Sequence, residues 1–140
     1  MKKLLFLVAG LVVILACTDS EEEPTIGLRV TTHATTYDST ETIHYSITNV
    51  KDKSYYLPKC TSGHFIVSVY RKLDSDNFNF YYSETCQLNP ATSIDIVKNQ
   101  IFNDSIFFNP TSGVYFLQLE FGVDFHEIDA VIFSNDFTIQ

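Results

Sequence analysis

From Thr25 onward, apolar and polar residues trade places at almost every step, and that period-two pattern limits the chain to strands with one buried face. Ile26, Leu28 and Val30 alternate with Gly27, Arg29 and Thr31, and Ile43, Tyr45 and Ile47 with Thr42, His44 and Ser46. Phe65, Val67 and Val69 repeat the pattern, as do Phe78, Phe80 and Tyr82, the short pairs Ile94/Ile96 and Ile106/Phe108, and the run Tyr115, Leu117, Leu119 and Phe121. Val131, Phe133, Phe137 and Ile139 close the chain, with a bulge expected near Ser134-Asn135. These segments are rich in β-branched and aromatic residues, which suit a pleated, half-buried surface. Turn-forming clusters separate them at Asn49 to Ser54, Asp74 to Asn77, Asn89-Pro90, Asn109 to Gly113 and Gly122 to Asp124. No window after residue 17 keeps a helical period. About seven to nine short strands at this spacing predict an all-β fold, an antiparallel β-sandwich. The chain has no Trp, so its 12 Phe and 8 Tyr must supply the aromatic volume of the core.

The first 16 residues follow another rule. Lys2 and Lys3 precede an apolar run from Leu4 to Ala16, the layout of a secretory signal. A membrane-spanning helix needs roughly 20 apolar residues, and Thr18, Asp19 and Ser20 end the run too early. The junction Ile14-Leu15-Ala16-Cys17 resembles the lipobox of bacterial lipoproteins. That resemblance implies cleavage after Ala16, a diacylglyceryl thioether on Cys17 and acylation of the new amine, typically with palmitate. Several chains are needed because one acyl chain, at about 0.8 kcal/mol per buried methylene, holds a protein only marginally. The resulting division is a signal peptide over residues 1–16, a lipidated cysteine and acidic tether over 17–24, and a β-domain over 25–140.

The expected cleavage changes the arithmetic. It leaves 140 − 16 = 124 residues, enough for one domain. Lys2 and Lys3 leave with the leader, so Lys+Arg falls from 9 to 7 against 17 acids, a formal −10. Such a surface argues against nucleic acid and anionic lipid headgroups as partners, and weakly favours cationic ones. Lipid on Cys17 leaves Cys60 and Cys86 as an even pair, and an oxidising compartment makes a disulfide the default. Closing that loop would stabilise the fold by roughly 3.5 kcal/mol on a chain-entropy argument. The tether Thr18 to Pro24 is polar and acidic, too poor in apolar surface to pack, and reaches roughly 25 Å at most. An acidic run just after the lipidated cysteine resembles the surface-export signal of some Gram-negative lipoproteins. The expected address is therefore the cell envelope, at the outer membrane, with the choice between inward and outward facing left open.

The body of the chain carries a second resemblance. Thr42-Ile-His-Tyr-Ser-Ile-Thr-Asn49, a charged turn and Tyr55-Tyr-Leu-Pro58 look like the opening strands of bacterial Ig-like domains. Cys60 followed by Phe65 to Arg71 and then Cys86 is similar to a subset with a cysteine pair flanking a hairpin. Ser112-Gly113-Val114-Tyr115 and Ser134-Asn-Asp-Phe-Thr-Ile139 resemble the late strands of that group. The nearest named relative is the BsuPI-type proteinase-inhibitor fold. These motifs report scaffold, and imply an Ig-like sandwich in which Phe78, Phe80 or Tyr82 takes the place of a Trp usual in the central hairpin.

Chemistry is sparse. His33, His44, His64 and His126 lack metal-ligand spacing, and no Cys-x-x-Cys is present. Asp124, His126, Glu127 and Asp129 form an acidic loop that reads as a solvated turn rather than a cation site, as do Asp74, Asp76 and Asn77. No nucleophile-elbow, zinc-protease or phosphate-loop motif appears, so neither catalysis nor a cofactor is expected. The adjacent pairs Tyr55/Tyr56 and Tyr81/Tyr82 should place one ring of each pair outside the core, where tyrosine suits glycan or protein contact. The leading expectation is a non-enzymatic binding or accessory module anchored at the envelope. The alternatives are a BsuPI-like proteinase inhibitor, for which no reactive loop can be picked out and Arg71-Lys72-Leu73 reads more plainly as a basic strand end, and a structural envelope component.

Overall fold

A computed structural model describes residues 27–60, 62–84, 92–123, 127–128 and 130–140. The leader, the lipobox with Cys17, the tether and Cys86 lie outside the described residues. The described residues form eleven strands: β1 (Leu28–Thr32), β2 (Thr36–Tyr37), β3 (Ile43–Asn49), β4 (Tyr55–Lys59), β5 (Val67–Lys72), β6 (Phe78–Ser83), β7 (Thr92–Ile96), β8 (Ile101–Ile106), β9 (Gly113–Phe121), β10 (Ala130–Phe133) and β11 (Phe137–Ile139). The all-β expectation holds. The strand number exceeds the expected seven to nine because β2 is only two residues long and the last apolar run is split into β10 and β11.

The strands form a sandwich-like arrangement. One sheet runs β1-β3-β8, and a larger one β2-β11-β9-β5-β6, with β10 also on β9. A two-stranded β4-β7 ribbon completes the fold. Named strands pair antiparallel except β2 with β11. The alternation decides which residues meet between the sheets. Leu28, Val30, Ile43, Tyr45 and Ile47 point inward from the smaller sheet, and Val67, Val69, Tyr115, Leu117, Leu119 and Ile139 from the larger one. They join Tyr55, Leu57 and Ile96 of the ribbon in one buried cluster. Tyr115 is fully buried and its hydroxyl donates to the Thr111 carbonyl, four residues upstream, at 2.6 Å.

Two bulges redirect apolar residues that the sequence pattern assigns to the core. Tyr70 pairs with Phe80, yet the preceding Val69 pairs with Tyr82, so Tyr81 is an extra residue in β6. Phe78 and Phe80 consequently face solvent, and only Tyr82 of the three packs against the core. The second bulge lies between β10 and β11. Phe133 pairs with Gln118 while Phe137 pairs with Tyr115, three residues bridging a two-residue step. The Ser134 hydroxyl accepts the Leu117 N–H at 2.9 Å where the ladder is interrupted. Phe137 and Ile139 stay inside, but Val131 and Phe133 turn outward and Ile132 takes the inner position. One extra residue in a period-two element exchanges its faces.

Asn49, wholly buried at the end of β3, holds the turn to β4. Its amide nitrogen donates to the Lys53 and Ile96 carbonyls, both at 2.7 Å, and its carbonyl oxygen accepts the Lys51 N–H at 2.9 Å. The side chain thus ties the smaller sheet to the β4-β7 ribbon. Asn49→Ala orphans a buried carbonyl at Ile96 and should cost about 2–3 kcal/mol, whereas exposed Asn79→Ala should change stability by about 0.5 kcal/mol or less. Urea unfolding of both variants checks this; equal midpoints would refute the role given to Asn49.

Candidate binding surface

The outward face of the larger sheet carries the residues the bulges displaced. Register sets Phe80, Tyr70 and Phe116 side by side on β6, β5 and β9, with Phe133 of β10 diagonal to Phe116. Their rings touch in sequence. Phe80 meets Tyr70 edge-on at 5.8 Å, Tyr70 stacks on Phe116 at 5.5 Å, and Phe116 meets Phe133 edge-on at 5.6 Å. Phe78 closes against both Tyr70 (5.5 Å) and Phe116 (5.3 Å). The middle of the strip is thereby covered, with Phe116 only 6% exposed, while Phe78, Phe80 and Phe133 remain 50%, 60% and 49% exposed. Isolated exposed apolar side chains need no explanation, but a continuous patch across four strands is a candidate interaction surface. Phe107, equally open, has no ring neighbour among the described residues, and belongs to the first class.

Beside the strip lies a slot of about 230 Å³. Phe116 forms its floor, and Phe78 and Phe133 stand nearly perpendicular to that floor, at 82° and 80°. Its rim is polar, with Lys72, Asp76 and Asp136. Lys72 donates to the Asp136 carboxylate. Asp76 sits in the β5–β6 turn, which Asp74 organises by accepting the backbone N–H groups of Asp76 and Asn77 and the Asn77 side-chain amide. These bonds, that of the Asn77 side chain foremost, hold the Asp74 carboxyl below its ordinary range. The expected reading of Asp74, Asp76 and Asn77 as a turn is the one their bonding describes.

The residues singled out from sequence do not assemble around this surface. Tyr55 is buried, its hydroxyl accepting the Gly27 N–H, and Tyr56 is half-buried in β4. Tyr81 and Tyr82 both lean on the core, against Phe108, because the bulge turns both inward. The exposed rings expected of tyrosines are phenylalanines instead. Arg71 and Lys72 lie within β5, paired on both sides, and Arg71 donates to the Ser112 carbonyl at 2.8 Å. His33 bonds Ser46 at 2.7 Å and stacks on His44. Glu127 is exposed, and Asp124, His126 and Asp129 lie outside the described residues. Cys60 is buried. Among the described residues no group of three or more His, Cys, Asp or Glu is placed to hold a metal.

His64 is the exception to this scatter. Its Nδ1 lies 2.7 Å from Oδ1 of Asp104, a carboxylate that also accepts the Phe65 N–H at 2.8 Å and the Tyr45 hydroxyl at 3.2 Å. His64 and Ser105 share a cleft of about 380 Å³, but among the described residues no hydrogen bond joins the Ser105 hydroxyl to His64. The trio lacks the nucleophile–base bond of an acyl-transfer triad. Its evident work is structural, pinning the turn after Cys60 to β8.

No protein-family model matches the chain, and no curated protein matches it either. The surface must therefore be read from its own geometry.

Burial, followed by the charge and hydrogen bond of Asp104, pushes the Tyr45 phenol far above its ordinary value of 10.0. The folded state keeps this proton above pH 10, where the unfolded chain releases it. Stability contributed by Tyr45 is therefore intact below pH 10 and falls by about 1.4 kcal/mol per pH unit above it. In Tyr45→Phe that share of the alkaline slope should vanish. Urea midpoints between pH 9 and 11 measure it, and identical slopes would exclude the assignment.

Proposed function

We propose that the chain is a membrane-tethered binding module of a bacterial cell envelope, acting without catalysis through the outer face of its larger sheet. The aromatic strip carries this reading. Three phenylalanines about half exposed, arrayed across paired strands and backed by a covered layer, have the form of a docking surface with rigid anchors. An Ig-like scaffold by itself would host many functions. The inhibitor reading has less support, since Arg71 and Lys72 belong to a strand paired on both sides rather than to a loop that a protease can accept.

A photoreactive phenylalanine analogue at position 80, in the full chain in cells, should give a discrete protein adduct. The same analogue at exposed Ile101, on the smaller sheet, should give none. Adding Phe133→Ser should remove the adduct while leaving the melting temperature within a few degrees. No adduct at 80, with the protein still crosslinking elsewhere to one envelope partner, would favour a structural component.

The tether rests on the lipobox Ile14-Leu15-Ala16-Cys17, and the outer-membrane address on the acidic run after it. We include a Cys60–Cys86 disulfide in the reading, supported by the even pair that remains once Cys17 is assigned to lipid and by the burial of Cys60. Cys17→Ser should abolish palmitate labelling and release the protein from membranes. Non-reducing peptide mapping of the unaltered protein should recover a Cys60–Cys86 pair. Membrane retention of the variant, or two free thiols, would contradict the respective part.

A further inference from the structure

The chemistry of the slot narrows the partner. At about 230 Å³ it is smaller than the roughly 300–1,000 Å³ typical of drug-sized ligand sites, so it suits one side chain rather than a whole small molecule. Its walls and floor are phenyl rings, which attract a cation to their faces and offer apolar surface to an aliphatic stem. At the rim, Lys72 and Asp136 neutralise each other, leaving the Asp76 carboxylate and, behind it in the same turn, that of Asp74. Counting +1 for Lys72 and −1 each for Asp74, Asp76 and Asp136, the mouth carries a net −2. The whole chain carries −8. A second copy would bring the same sign to the contact and be repelled, as would an anionic lipid surface.

We propose, resting on the binding-surface reading above, that the Phe78–Phe116–Phe133 slot takes one arginine or lysine side chain from an extended basic segment of a partner protein. The aliphatic stem lies between Phe78 and Phe133, and the charged head reaches Asp76. Flanking residues of the segment run along Tyr70 and Phe80.

The test uses the full chain in a nonionic detergent and three labelled twelve-residue peptides, alternating Ala-Arg, Ala-Gln and Leu-Gln, followed by fluorescence anisotropy. The Ala-Arg peptide should bind saturably and the Ala-Gln peptide should not. Phe133→Ala, Phe78→Ala and Asp76→Asn should each weaken Ala-Arg binding about tenfold, the scale of one desolvated cation–π or charge-assisted contact. Asp95→Asn, which removes the same charge at an exposed site on β7, should leave binding unchanged. Equal losses for Asp76→Asn and Asp95→Asn would reduce the attraction to net charge and overturn the inference. So would Ala-Arg binding indifferent to Phe78 and Phe133, or no Ala-Arg binding at all. If only Leu-Gln binds, with sensitivity to Phe133→Ala, the surface reading stands and the basic partner falls.

Discussion

The nine residues of β9 fix the facing of the larger sheet. Tyr115, Leu117, Leu119 and Phe121 are committed inward, each almost wholly buried in the core cluster. β5 lies on one edge of β9, and β10 and β11 share the other. Directly paired residues point the same way, so each neighbour inherits its facing from β9 by register. Leu117 inward puts Val69 inward, and Phe116 outward puts Tyr70 outward. The outer aromatic strip is thus a consequence of the core: Phe116 lies outside because its neighbours in sequence cannot.

Bulges then act as switches on this inherited parity. With Tyr81 paired regularly instead of bulged, Phe78 and Phe80 would share a face with Tyr82 and enter the core beside Val69. With Ser134 to Asp136 all paired regularly instead of bulged, Phe133 would share a face with Phe137. Both switches send phenylalanine to the outside, on the strands flanking the β5–β9 pair, and so produce one strip rather than two scattered rings. A bulge costs a ladder bond, and between β10 and β11 the loss is repaired locally, where Ser134 supplies a hydroxyl acceptor for Leu117. At the other bulge the Tyr81 hydroxyl instead ties β6 to the loop before β9, through the Asn109 carbonyl and the Thr111 N–H.

This explains what could be read from sequence and what could not. Alternation alone identifies the strands at Ile43 to Ile47, Phe65 to Val69 and Tyr115 to Phe121 with their correct buried faces, since nothing interrupts their parity. At Phe78, Phe80 and Tyr82 the written pattern is equally regular, yet the ladder contains a step that sequence spacing does not display. The bulge at Ser134-Asn135 is visible as a break of polar residues, but which half turns outward depends on pairing with β9. Asn49 is legible as a strand-ending asparagine before a charged turn, whereas its bond to Ile96, 47 residues away, is not. Asp104 was hidden for the same reason, because Tyr45, His64 and Phe65 lie 59, 40 and 39 residues distant.

An exposed phenylalanine-rich face ending in an edge strand is an aggregation hazard. Three features of this chain oppose self-association: the Tyr81 bulge distorts the β6 edge, Lys72 and Asp136 place paired charges beside the rings, and the acid excess repels a second copy. None of these shields the rings from a basic partner, whose charge would be drawn by the same field that keeps like molecules apart. The combination therefore filters by sign. On the proposed binding reading, apolar area would supply adhesion and acidity would decide which surfaces approach closely enough to use it. In a chain whose proposed tether reaches roughly 25 Å, that filter matters more than it would in dilute solution. A membrane crowds identical molecules together, and an apolar strip without the acid excess would find its own copies first.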